Sequence, residues 1–505
     1  MHEPRAMPRL HQLPQALYRA EQVRELDRLA IETYGIPGET LMERAGKAAW
    51  ETLERLWPGA ERILVLAGTG NNGGDGFVVA RLALQAGRKV QVLQLGDRER
   101  IAGDARANAL KYAALSGDWR PFDGRLPENA DLVVDAVFGT GLEREVTGPW
   151  GEAITAIERH RAPVLALDLP SGLHADTGAI LGCAVRADAT VTFIGLKQGM
   201  FTGEGPACCG EITFDALDVP ARVYGHLILS ARRIDWARQR DLLQPRVATA
   251  HKGHFGHVLV VGGDRGMGGA ARLAAEAALR TGAGLVSLAT RQEHLAPVLA
   301  TRPEIMAHGV EGAKELEPLL RNCTQVAVGP GLGRSAWGRE LFQAVLASGR
   351  PLVVDADALN LLAEAPQRRE DWVITPHPGE AARLLGSCAF EVQSDRFAAA
   401  RQLQGRYGGV AVLKGAGTVI DSGGERRPAV CSDGNPGMAS GGMGDVLTGV
   451  VAGFLAQGFE TPMAAELAVC LHAAAGDKAA RAGRRGLLAM DLMSHVRRLA
   501  NPDNE

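Results

Sequence analysis

The sequence predicts an α/β protein of two domains, each with a mostly parallel sheet covered by helices on both faces. Short runs of Val, Leu and Ile alternate with helix-length segments, which is typical of strands buried in parallel sheets. Glycine provides 63 of the 505 residues and aromatic residues only 5%, which suits many tight loops that approach ligands. The length is sufficient for two domains, and we expect them at 1–225 and 226–505.

The composition argues against several classes of protein. Hydrophobic residues make up 46% and the formal net charge is −3, so the chain is globular and has no basic face for nucleic acid. No apolar run has the length of a membrane span, and residues 1–14 contain neither a secretion signal nor a readable function. The seven scattered cysteines, without a CxxC pattern, predict reduced thiols in a cytoplasmic protein rather than a disulfide framework or a zinc site.

In chain order, the first domain begins with two helical patterns, at 20–34 and 40–57. Thr40 and Glu43 have the capping-box spacing at the start of the second pattern. Strands are predicted at 63–67, 90–95, 132–137, 164–169, 191–194 and 211–217. Residues 218–224 are predicted to link the two domains.

The first polar motif of this domain is GTGNNGGDG, at 68–76 directly after a predicted strand. It contains a GxGxxG pattern, but the next predicted strand lacks the terminal acid that a dinucleotide-binding fold requires. Asn71, Asn72 and Asp75 provide amide and carboxylate oxygens, which suit a cation or a sugar hydroxyl. A simple polar turn is the alternative interpretation.

Two further motifs lie at the ends of strands of the same domain, DAVFGTGL at 135–142 and DLPSG at 168–172. Ligands bind at the carboxyl ends of parallel strands, so Asp135 and Asp168 are candidates for proton transfer, although each could also cap a turn. Ser171 offers an oxygen to a cation. Lys197 is either a fourth group near the crevice or a solvated lysine.

The second domain repeats this organisation. Strands are predicted at 258–261, 285–289, 325–328, 352–354, 373–374 and 410–413, with a helix at 270–280. Polar motifs follow them: GPGLG at 329–333, DADALN at 355–360, TPHPGE at 375–380 and KGAGT at 414–418. His377 could donate to a phosphate or ribose, or point to solvent. Lys414 could lie beside a nucleotide, or form a surface salt bridge.

The stretch GMASGGMGDVLTG, at 437–449, is the feature around which the chain is organised. Small residues precede an apolar helical pattern, and unpaired N–H groups at a helix N-terminus form an anion site together with the helix dipole. Asp445 in the first turn is then placed as a base beside the anion. As an isolated motif, it could equally be a helix cap.

In its motifs the second half resembles the ribokinase-like carbohydrate kinases, and among them the ADP- or ATP-dependent NAD(P)H-hydrate dehydratases. HKGHFGHVLVVGG, GAGLV, GPGLG, TPHPGE, KGAGT and SGGMGDVLTG occur in that family's order. The first half resembles the NAD(P)H-hydrate epimerases through GNNGGDG, DAVFGTGL and DLPSG. Together the halves resemble the bifunctional nicotinamide-nucleotide repair enzymes, which implies a Rossmann-like α/β/α sandwich followed by a ribokinase-like α/β/α domain.

The resemblance implies that the substrates are NADH and NADPH hydrated across the C5–C6 bond of the nicotinamide ring. The first domain would interconvert the R and S hydrates, and the second would dehydrate the S form while ADP, or ATP, is consumed. It further implies K⁺ in the epimerase domain, Mg²⁺ in the dehydratase domain, and assembly into a homo-oligomer.

For the first domain, the family pattern implies a potassium ion at Asn72, Asp135 and Ser171, and Asp168, with Lys197, as the acid/base. The residues expected to contact the hydrate are Asn71, Asn72, Gly73, Gly74, Asp75, Gly139, Thr140, Gly141, Leu142, Glu143, Arg144, Glu145 and Asp168.

For the second domain, Asp445 would take the proton of the C6 hydroxyl during phosphoryl transfer to its oxygen, and N–H groups of 441–444 would hold the developing charge. The hydrate is expected to contact Ala270, Gly331, Gly333, His377 and Asp445. The nucleotide is expected to contact Lys414, Gly415, Ala416, Gly417, Thr418 and Gly444.

Two other functions are compatible with single motifs. A vitamin or sugar kinase with a dinucleotide-binding partner domain would share the GxGD loop, but it would release a stable phosphorylated product instead of phosphate. Alternatively, the first domain could be a binding module without activity. The presence of Asn72, Asp135, Asp168 and Ser171 argues against that.

Overall fold

The computed structural model describes residues 12–501. The prediction for residues 1–14 therefore falls outside the described residues except for positions 12–14. The chain divides into two compact units, Met1–Arg232 and Arg233–Glu505, whereas the sequence predicted a division after residue 225. Among the described residues, no helix is both long and apolar enough to cross a bilayer.

The first unit contains a parallel sheet with helices on both faces. Its strands are β1 (Ala16–Tyr18), β2 (Arg62–Ala67), β3 (Lys89–Gln94), β4 (Asp118–Pro121), β5 (Leu132–Ala136), β6 (Val164–Leu167), β7 (Ala189–Phe193), β8 (Leu196–Lys197), β9 (Glu211–Asp215) and β10 (Ala231–Ile234), the last of which crosses the division. Its helices are α1 (Ala20–Arg28), which continues as a π-helix over Leu29–Thr33, α2 (Gly38–Leu56), α3 (Asn71–Gln85), α4 (Gly103–Ala114), α5 (Gly148–Arg159), α6 (Gly205–Cys208) and α7 (Ala221–Tyr224).

The main sheet of this unit has the order β4-β3-β2-β5-β6-β7-β9, and all its strand pairs are parallel. Alternate residues of β2 enter different cores. Ile63 and Val65 pack with α2, α3 and α4, whereas Leu64 and Leu66 pack with α5 on the other face. The strand order reverses between β2 and β5, which is where open α/β sheets bind ligands. The predicted three-layer sandwich is confirmed for this unit.

Two local predictions and one alternative interpretation for this unit were wrong. Helix α2 begins at Gly38, because the carbonyl of Pro37 accepts from the N–H groups of Thr40 and Leu41, so Thr40 lies inside the first turn. Residues 71–76, for which a simple polar turn was the alternative interpretation, form the start of α3. Residues 218–224 are not a simple link, because α7 buries Val223 in the core of the first unit.

The second unit has the same kind of architecture. Its strands are β11 (His257–Val261), β12 (Leu285–Thr290), β13 (Met306–Gly309), β14 (Gln325–Val328), β15 (Leu352–Val354), β16 (Trp372–Ile374), β17 (Val410–Leu413), β18 (Val419–Asp421) and β19 (Ala429–Cys431). Its helices are α8 (Trp236–Gln239), α9 (Gly268–Thr281), α10 (Leu295–Thr301), α11 (Ala313–Asn322), α12 (Ala336–Ala347), α13 (Ala356–Glu364), α14 (Pro378–Leu385), α15 (Ala389–Ser394), α16 (Arg396–Tyr407), α17 (Met443–Ala456), α18 (Thr461–Ala479) and α19 (Leu492–Leu499).

The strands run in the order β13-β12-β11-β14-β15-β16-β17-β18-β19, parallel as far as β17 and antiparallel beyond it. The sequence did not predict β13, β18 or β19. Helices α9, α17, α18 and α19 share one hydrophobic core with the sheet. Between α17 and α9, a Cβ added at Gly449 would collide with the carbonyl oxygen of Ala274. This close packing fixes the position of the N-terminus of α17.

The cysteines are free thiols, but the fold brings two of them together despite their distance in sequence. The sulfur atoms of Cys431 and Cys470 lie 3.7 Å apart, and a carboxylate oxygen of Asp433 lies within 4.8 Å of them. Spacing alone could not indicate this cluster, because strand β19 and helix α18 contribute its members separately.

Candidate active sites

The first candidate site lies where β2, β5 and β6 end. Asp168 follows β6 directly and has a φ of 63°, a left-handed conformation that non-glycine residues rarely adopt. Its backbone N–H donates to the carbonyl of Val191 at 2.7 Å, which stabilises this conformation. Backbone strain of this kind is concentrated at functional sites, so the outlier supports a functional role for Asp168.

Lys197 provides the partner of Asp168. The lysine is fully buried at the end of β8, so the alternative of a solvated lysine was wrong. Its ammonium donates to Asp168 Oδ1, to Thr192 Oγ1 at 2.8 Å and to the carbonyl of Phe193 at 3.2 Å. A buried ammonium needs such acceptors, and its contact with Asp168 orients the carboxylate.

Two further carboxyl groups lie in the electrostatic field of Asp168. Burial, followed by the charges of Asp168 and Asp27, raises the pKa of Asp75 well above its usual value. Burial and the charge of Asp168 raise the pKa of Asp27 to about 6. Asp75, whose pKa is raised, and the Asp168–Lys197 pair therefore share one electrostatic environment, an arrangement suited to acid/base chemistry. The sequence did not indicate that Asp27 belongs to this site, because an acidic residue on an amphipathic helix is normally exposed to solvent.

Two of the predicted cation ligands, Asp135 and Ser171, meet at the ends of β5 and β6. Ser171 Oγ donates to Asp135 Oδ1 at 2.6 Å, and the Ser171 N–H donates to Asp135 Oδ2 at 2.8 Å. Asp135 is fully buried, and burial raises its pKa to about 6. The Asn72 side chain is buried, and neither its oxygen nor its nitrogen has a hydrogen-bond partner among the described residues. An orphaned buried amide, a carboxylate and a hydroxyl are oxygen donors of the kind that a hard cation takes, so the chemistry of this residue set fits such an ion.

The segment at 139–145 borders the same site. A Cβ added at Gly139 would lie 3.0 Å from Asp168 Oδ2 and 3.6 Å from Asn72 Cγ, so this backbone lies directly against the crevice. Gly141, Glu143, Arg144 and Glu145 are exposed, and Thr140 is half-buried.

Three of the residues predicted to contact the hydrate cannot do so with side-chain atoms. A Cβ at Gly73 would collide with the Gly68 carbonyl, and one at Gly74 would lie 2.6 Å from Met42 Sδ, so both glycines serve the packing of α3. Leu142 packs into the core beneath its loop. Any contact that Gly73, Gly74 or Leu142 makes with the hydrate is confined to backbone atoms.

The second candidate site is built on the N-terminus of α17. Gly442 precedes the helix with a φ of 89°, and no side chain caps the helix. The first N–H groups of the helix therefore remain available to an anion. Asp445 lies in the first turn, as predicted.

A buried ion pair supports this anion loop. Lys414 Nζ donates to Asp355 Oδ1 at 2.6 Å, and Thr448 Oγ1 donates to Asp355 Oδ2 at 2.7 Å. A Cβ at Gly444 would lie 3.2 Å from Lys414 Nζ, so the ammonium lies against the first turn of α17. Burial alone would lower the pKa of Lys414, but Asp355 and Glu380 outweigh it and the pKa is raised. Lys414 is therefore not a surface lysine.

Asp445 has the electrostatics of a base. Burial, followed by the negative charge of Asp355, raises the pKa of Asp445 to about 7. Burial and Asp355 similarly raise the pKa of Glu380 to about 7, although Lys414, 3.8 Å away, acts against this. A carboxyl group that titrates near neutral pH is matched to general-base work.

His377 lies at the N-terminus of α14, where it caps the helix. The ring Nδ1 of His377 accepts from the backbone N–H of Gly379 at 3.0 Å. The backbone N–H of His377 donates to Glu380 Oε2 at 2.8 Å. Burial and the charge of Lys414 lower the pKa of His377. Since Nδ1 is the acceptor, the neutral ring carries its proton on Nε2, which lies 3.4 Å from Glu380 Oε1. Half of the side chain is exposed.

The GPGLG turn and the loop before α9 form one wall of this site. A Cβ at Gly331 would lie 3.3 Å from Ala270 Cβ, and one at Gly333 would lie 3.0 Å from Asp264 Oδ2. Asp264 accepts from Arg291 Nε and from Ser335 Oγ, each at 2.8 Å. Asp264 therefore ties these loops together, although the sequence did not single it out.

A buried arginine organises the KGAGT loop. Arg396 is 1% exposed and donates to the carbonyls of Leu413, Lys414 and Gly417 at 3.1, 3.2 and 3.4 Å. A Cβ at Gly415 would lie 3.0 Å from its guanidinium nitrogens. Burial lowers the pKa of Arg396 to about 10. No local pattern indicated a role for Arg396, because it lies on a different element from the loop.

Comparison with known proteins assigns a family model to each half of the chain. The model described as NAD(P)H-hydrate dehydratase matches residues 258–498, and the model described as YjeF-related protein N-terminus matches residues 38–199.

Similar proteins extend over both units. The bifunctional NAD(P)H-hydrate repair enzyme of Coxiella burnetii is 49% identical over 96% of this chain and 99% of its own length. The enzyme of the same description from Escherichia coli is 43% identical over 97% of this chain and 95% of its own length. A crystal structure of a ribokinase-like superfamily protein from Enterococcus faecalis aligns with 55% of this chain and 97% of its own, at 30% identity and a TM-score of 0.51.

Proposed function

The chain belongs to the family of bifunctional NAD(P)H-hydrate repair enzymes, and on that premise we propose that each of its units performs one of the two reactions. The chain epimerises the R and S hydrates of NADH and NADPH. It also dehydrates the S form, with conversion of ADP to AMP and phosphate. Epimerisation is assigned to the first unit and dehydration to the second.

The observation that supports dehydration most directly is Asp445 in the first turn of α17, with its raised pKa. Hydroxide is a poor leaving group, so the C6 hydroxyl must be activated. We assign Asp445 the removal of the hydroxyl proton while the oxygen attacks the terminal phosphorus of ADP and AMP leaves. The ring nitrogen lone pair then expels phosphate from C6, and loss of a proton from C5 restores the double bond.

The charge that develops on the transferred phosphoryl group requires donors. We assign this role to the N–H groups at the start of α17 and to Lys414, whose ammonium lies against Gly444. The KGAGT loop would contact the remainder of the nucleotide, and Ala270, Gly331, Gly333 and His377 would contact the hydrate. Mg²⁺ would be held chiefly by the nucleotide phosphates and would neutralise part of their charge.

Epimerisation requires proton transfer but no nucleotide. We assign Asp168 the role of acid/base, oriented by Lys197, with Asp75, whose pKa is raised, in its electrostatic field. Asp135, Ser171 and the orphaned amide of Asn72 would hold K⁺, which supplies positive charge beside the reacting ring. Assembly into a homo-oligomer and a cytoplasmic location remain predictions.

Replacing Asn72 with Ala is expected to raise the K⁺ concentration required for half-maximal epimerisation by about tenfold or more, because one oxygen ligand is lost. Epimerisation would be measured over a potassium series at constant ionic strength. Dehydration of the S hydrate by the same protein is the control. An unchanged potassium requirement would remove Asn72 from the ion site.

Replacing Arg396 with Met is expected to raise KM for ADP by about tenfold while KM for the hydrate stays unchanged, because three loop carbonyls lose their charged donor. Arg401→Met is the matched control, since Arg401 is exposed on the same helix. Equal KM values for ADP in both folded variants would contradict the role of Arg396.

The rate of dehydration is expected to rise with pH through a midpoint near 7, because burial raises the pKa of Asp445 to about 7 and only the ionised form accepts a proton. The kcat/KM for the S hydrate would be measured between about pH 5.5 and pH 8.5. A flat profile over that range would exclude a base with this pKa.

The proposed function is tested by giving the purified chain a mixture of R and S NADH hydrate with ADP, Mg²⁺ and K⁺. The absorbance of NADH and the release of phosphate are followed together. We expect complete recovery of NADH with one phosphate for each NADH formed. Recovery that stops at the S fraction would exclude an active epimerase, and a stable phosphorylated product without NADH would favour the kinase alternative.

A further inference from the structure

A cavity of about 790 Å³ lies within the second unit, far from the candidate active site. Phe454 and Gln457, at the C-terminal end of α17, line it, whereas Asp445 lies in the first turn of that helix. A helix of 14 residues is roughly 21 Å long at 1.5 Å per residue. The cavity is therefore a separate place in the fold and has no part in the chemistry proposed above.

A buried carboxylate with an excess of arginines forms one side of this cavity. Glu276 is 1% exposed and pairs with Arg302 at 2.5 Å, Arg272 at 3.3 Å and Arg280 at 3.5 Å. Within residues 12–501, none of these arginines has another acidic partner, and Arg272 Nε is buried without a hydrogen bond. One carboxylate cannot neutralise three guanidinium groups, so positive charge remains at the cavity wall.

Two more arginines line the cavity from other elements, Arg246 before β11 and Arg497 on α19. The Arg246 guanidinium lies 3.6 Å from the Phe255 ring centroid and donates to Gln457 Oε1 at 3.3 Å, and burial lowers its pKa. Arg497 is exposed. With Arg280 and Arg302, the lining holds four arginines against two glutamates, Glu276 and Glu304.

The remainder of the lining is largely apolar. Phe454 and Phe459 contact each other edge to face, with ring centroids 5.5 Å apart, and Leu279 lies beside them in the lining. A cavity of this volume suits a small organic molecule rather than a single ion, because ligand pockets are typically about 300–1,000 Å³.

We propose that this cavity is a second anion site that binds a phosphorylated small molecule, with its phosphate on Arg280 and Arg302 and its apolar part against Phe454 and Phe459. Guanidinium groups match phosphate oxygens in pairs and bind them strongly where water is partly excluded. This inference is independent of the proposed reactions, because none of these residues belongs to either candidate active site.

The test is a calorimetric titration of the full chain with inorganic pyrophosphate, in the absence of Mg²⁺. We expect two binding sites in the unmodified protein, one at the anion loop of α17 and one in the cavity. Lys414→Gln is expected to weaken the first site and leave the second. Arg280→Gln/Arg302→Gln is expected to do the reverse and to lower affinity at the second site by about tenfold or more.

Two further variants protect the test against misfolding. Arg246→Gln/Arg497→Gln leaves the ion pairs of Glu276 intact and is expected to weaken the same second site. Arg321→Gln/Arg406→Gln removes two exposed arginines outside the cavity and is expected to change neither site. A single site that is lost in Lys414→Gln, or a second site unaffected by both pairs of cavity substitutions, would overturn the proposal.

Discussion

Asp445→Asn is expected to slow dehydration of the S hydrate by about a thousandfold while epimerisation is unchanged. The amide has nearly the same shape as the carboxylate but cannot accept the proton of the C6 hydroxyl. The anion loop, the Lys414–Asp355 pair and the Thr448 hydrogen bond all remain, so nucleotide binding is preserved. The effect should therefore appear in kcat and not in KM for ADP.

Single-turnover formation of NADH from purified S hydrate, with ADP, measures this loss. Asp371→Asn is the matched control. Asp371 pairs with Arg369 immediately before β16, at the amino end of this strand, whereas the candidate site lies at the carboxyl ends of the strands. A rate for Asp445→Asn within about threefold of the control would exclude Asp445 as the base, since base catalysis contributes far more.

Asp168→Asn is expected to have the complementary effect, a loss of about a thousandfold in epimerisation with dehydration of the S hydrate unchanged. The substitution removes the carboxylate that Lys197 contacts, so the site loses both its proton acceptor and the partner of a fully buried ammonium. Lys197 keeps Thr192 Oγ1 and the carbonyl of Phe193 as acceptors, which should allow the unit to fold.

Conversion of pure R hydrate to the S form, without nucleotide, measures this second effect. Asp131→Asn is the control, because Asp131 pairs with Arg62 just before β5, away from the crevice. If dehydration fell together with epimerisation in Asp168→Asn, the assignment of one reaction to each unit would be wrong.

The sequence predicted those parts of the sites that depend on strand ends. Asp135 lies at the end of β5, and Asp168 and Ser171 follow β6. Because parallel strands bring their carboxyl ends together on one side of the sheet, the proximity of these residues could be expected. Asp445 was predictable for a related reason, since a run of small residues before an apolar helical pattern indicates an exposed helix N-terminus.

Residues that act across the fold could not be predicted in this way. Arg396 reaches the KGAGT loop from α16, and Asp27 enters the field of Asp168 from α1. Asp264 joins Arg291 and Ser335 from three separate loops. Nothing in the local pattern of these residues distinguishes them from surface charges, because their roles depend on contacts between distant segments.

The start of α2 was predicted wrongly because two local signals compete there, the capping-box pattern at Thr40 and the proline at position 37. The capping-box pattern was present, but Pro37 fixes its own φ and presents a carbonyl to the first N–H groups, so the helix begins earlier. In the first unit, Gly73 and Gly74 were predicted to contact a ligand, whereas their lack of a side chain allows α3 to pack closely.

If the two units hold separate sites for consecutive reactions, two variants that each lack one reaction should complement each other when mixed. Asp168→Asn and Asp445→Asn would be combined and given R and S NADH hydrate with ADP, Mg²⁺ and K⁺. We expect that the mixture recovers all of the NADH, although Asp168→Asn alone stops at the S fraction and Asp445→Asn alone recovers almost none. A mixture that also stops at the S fraction would contradict two independent sites.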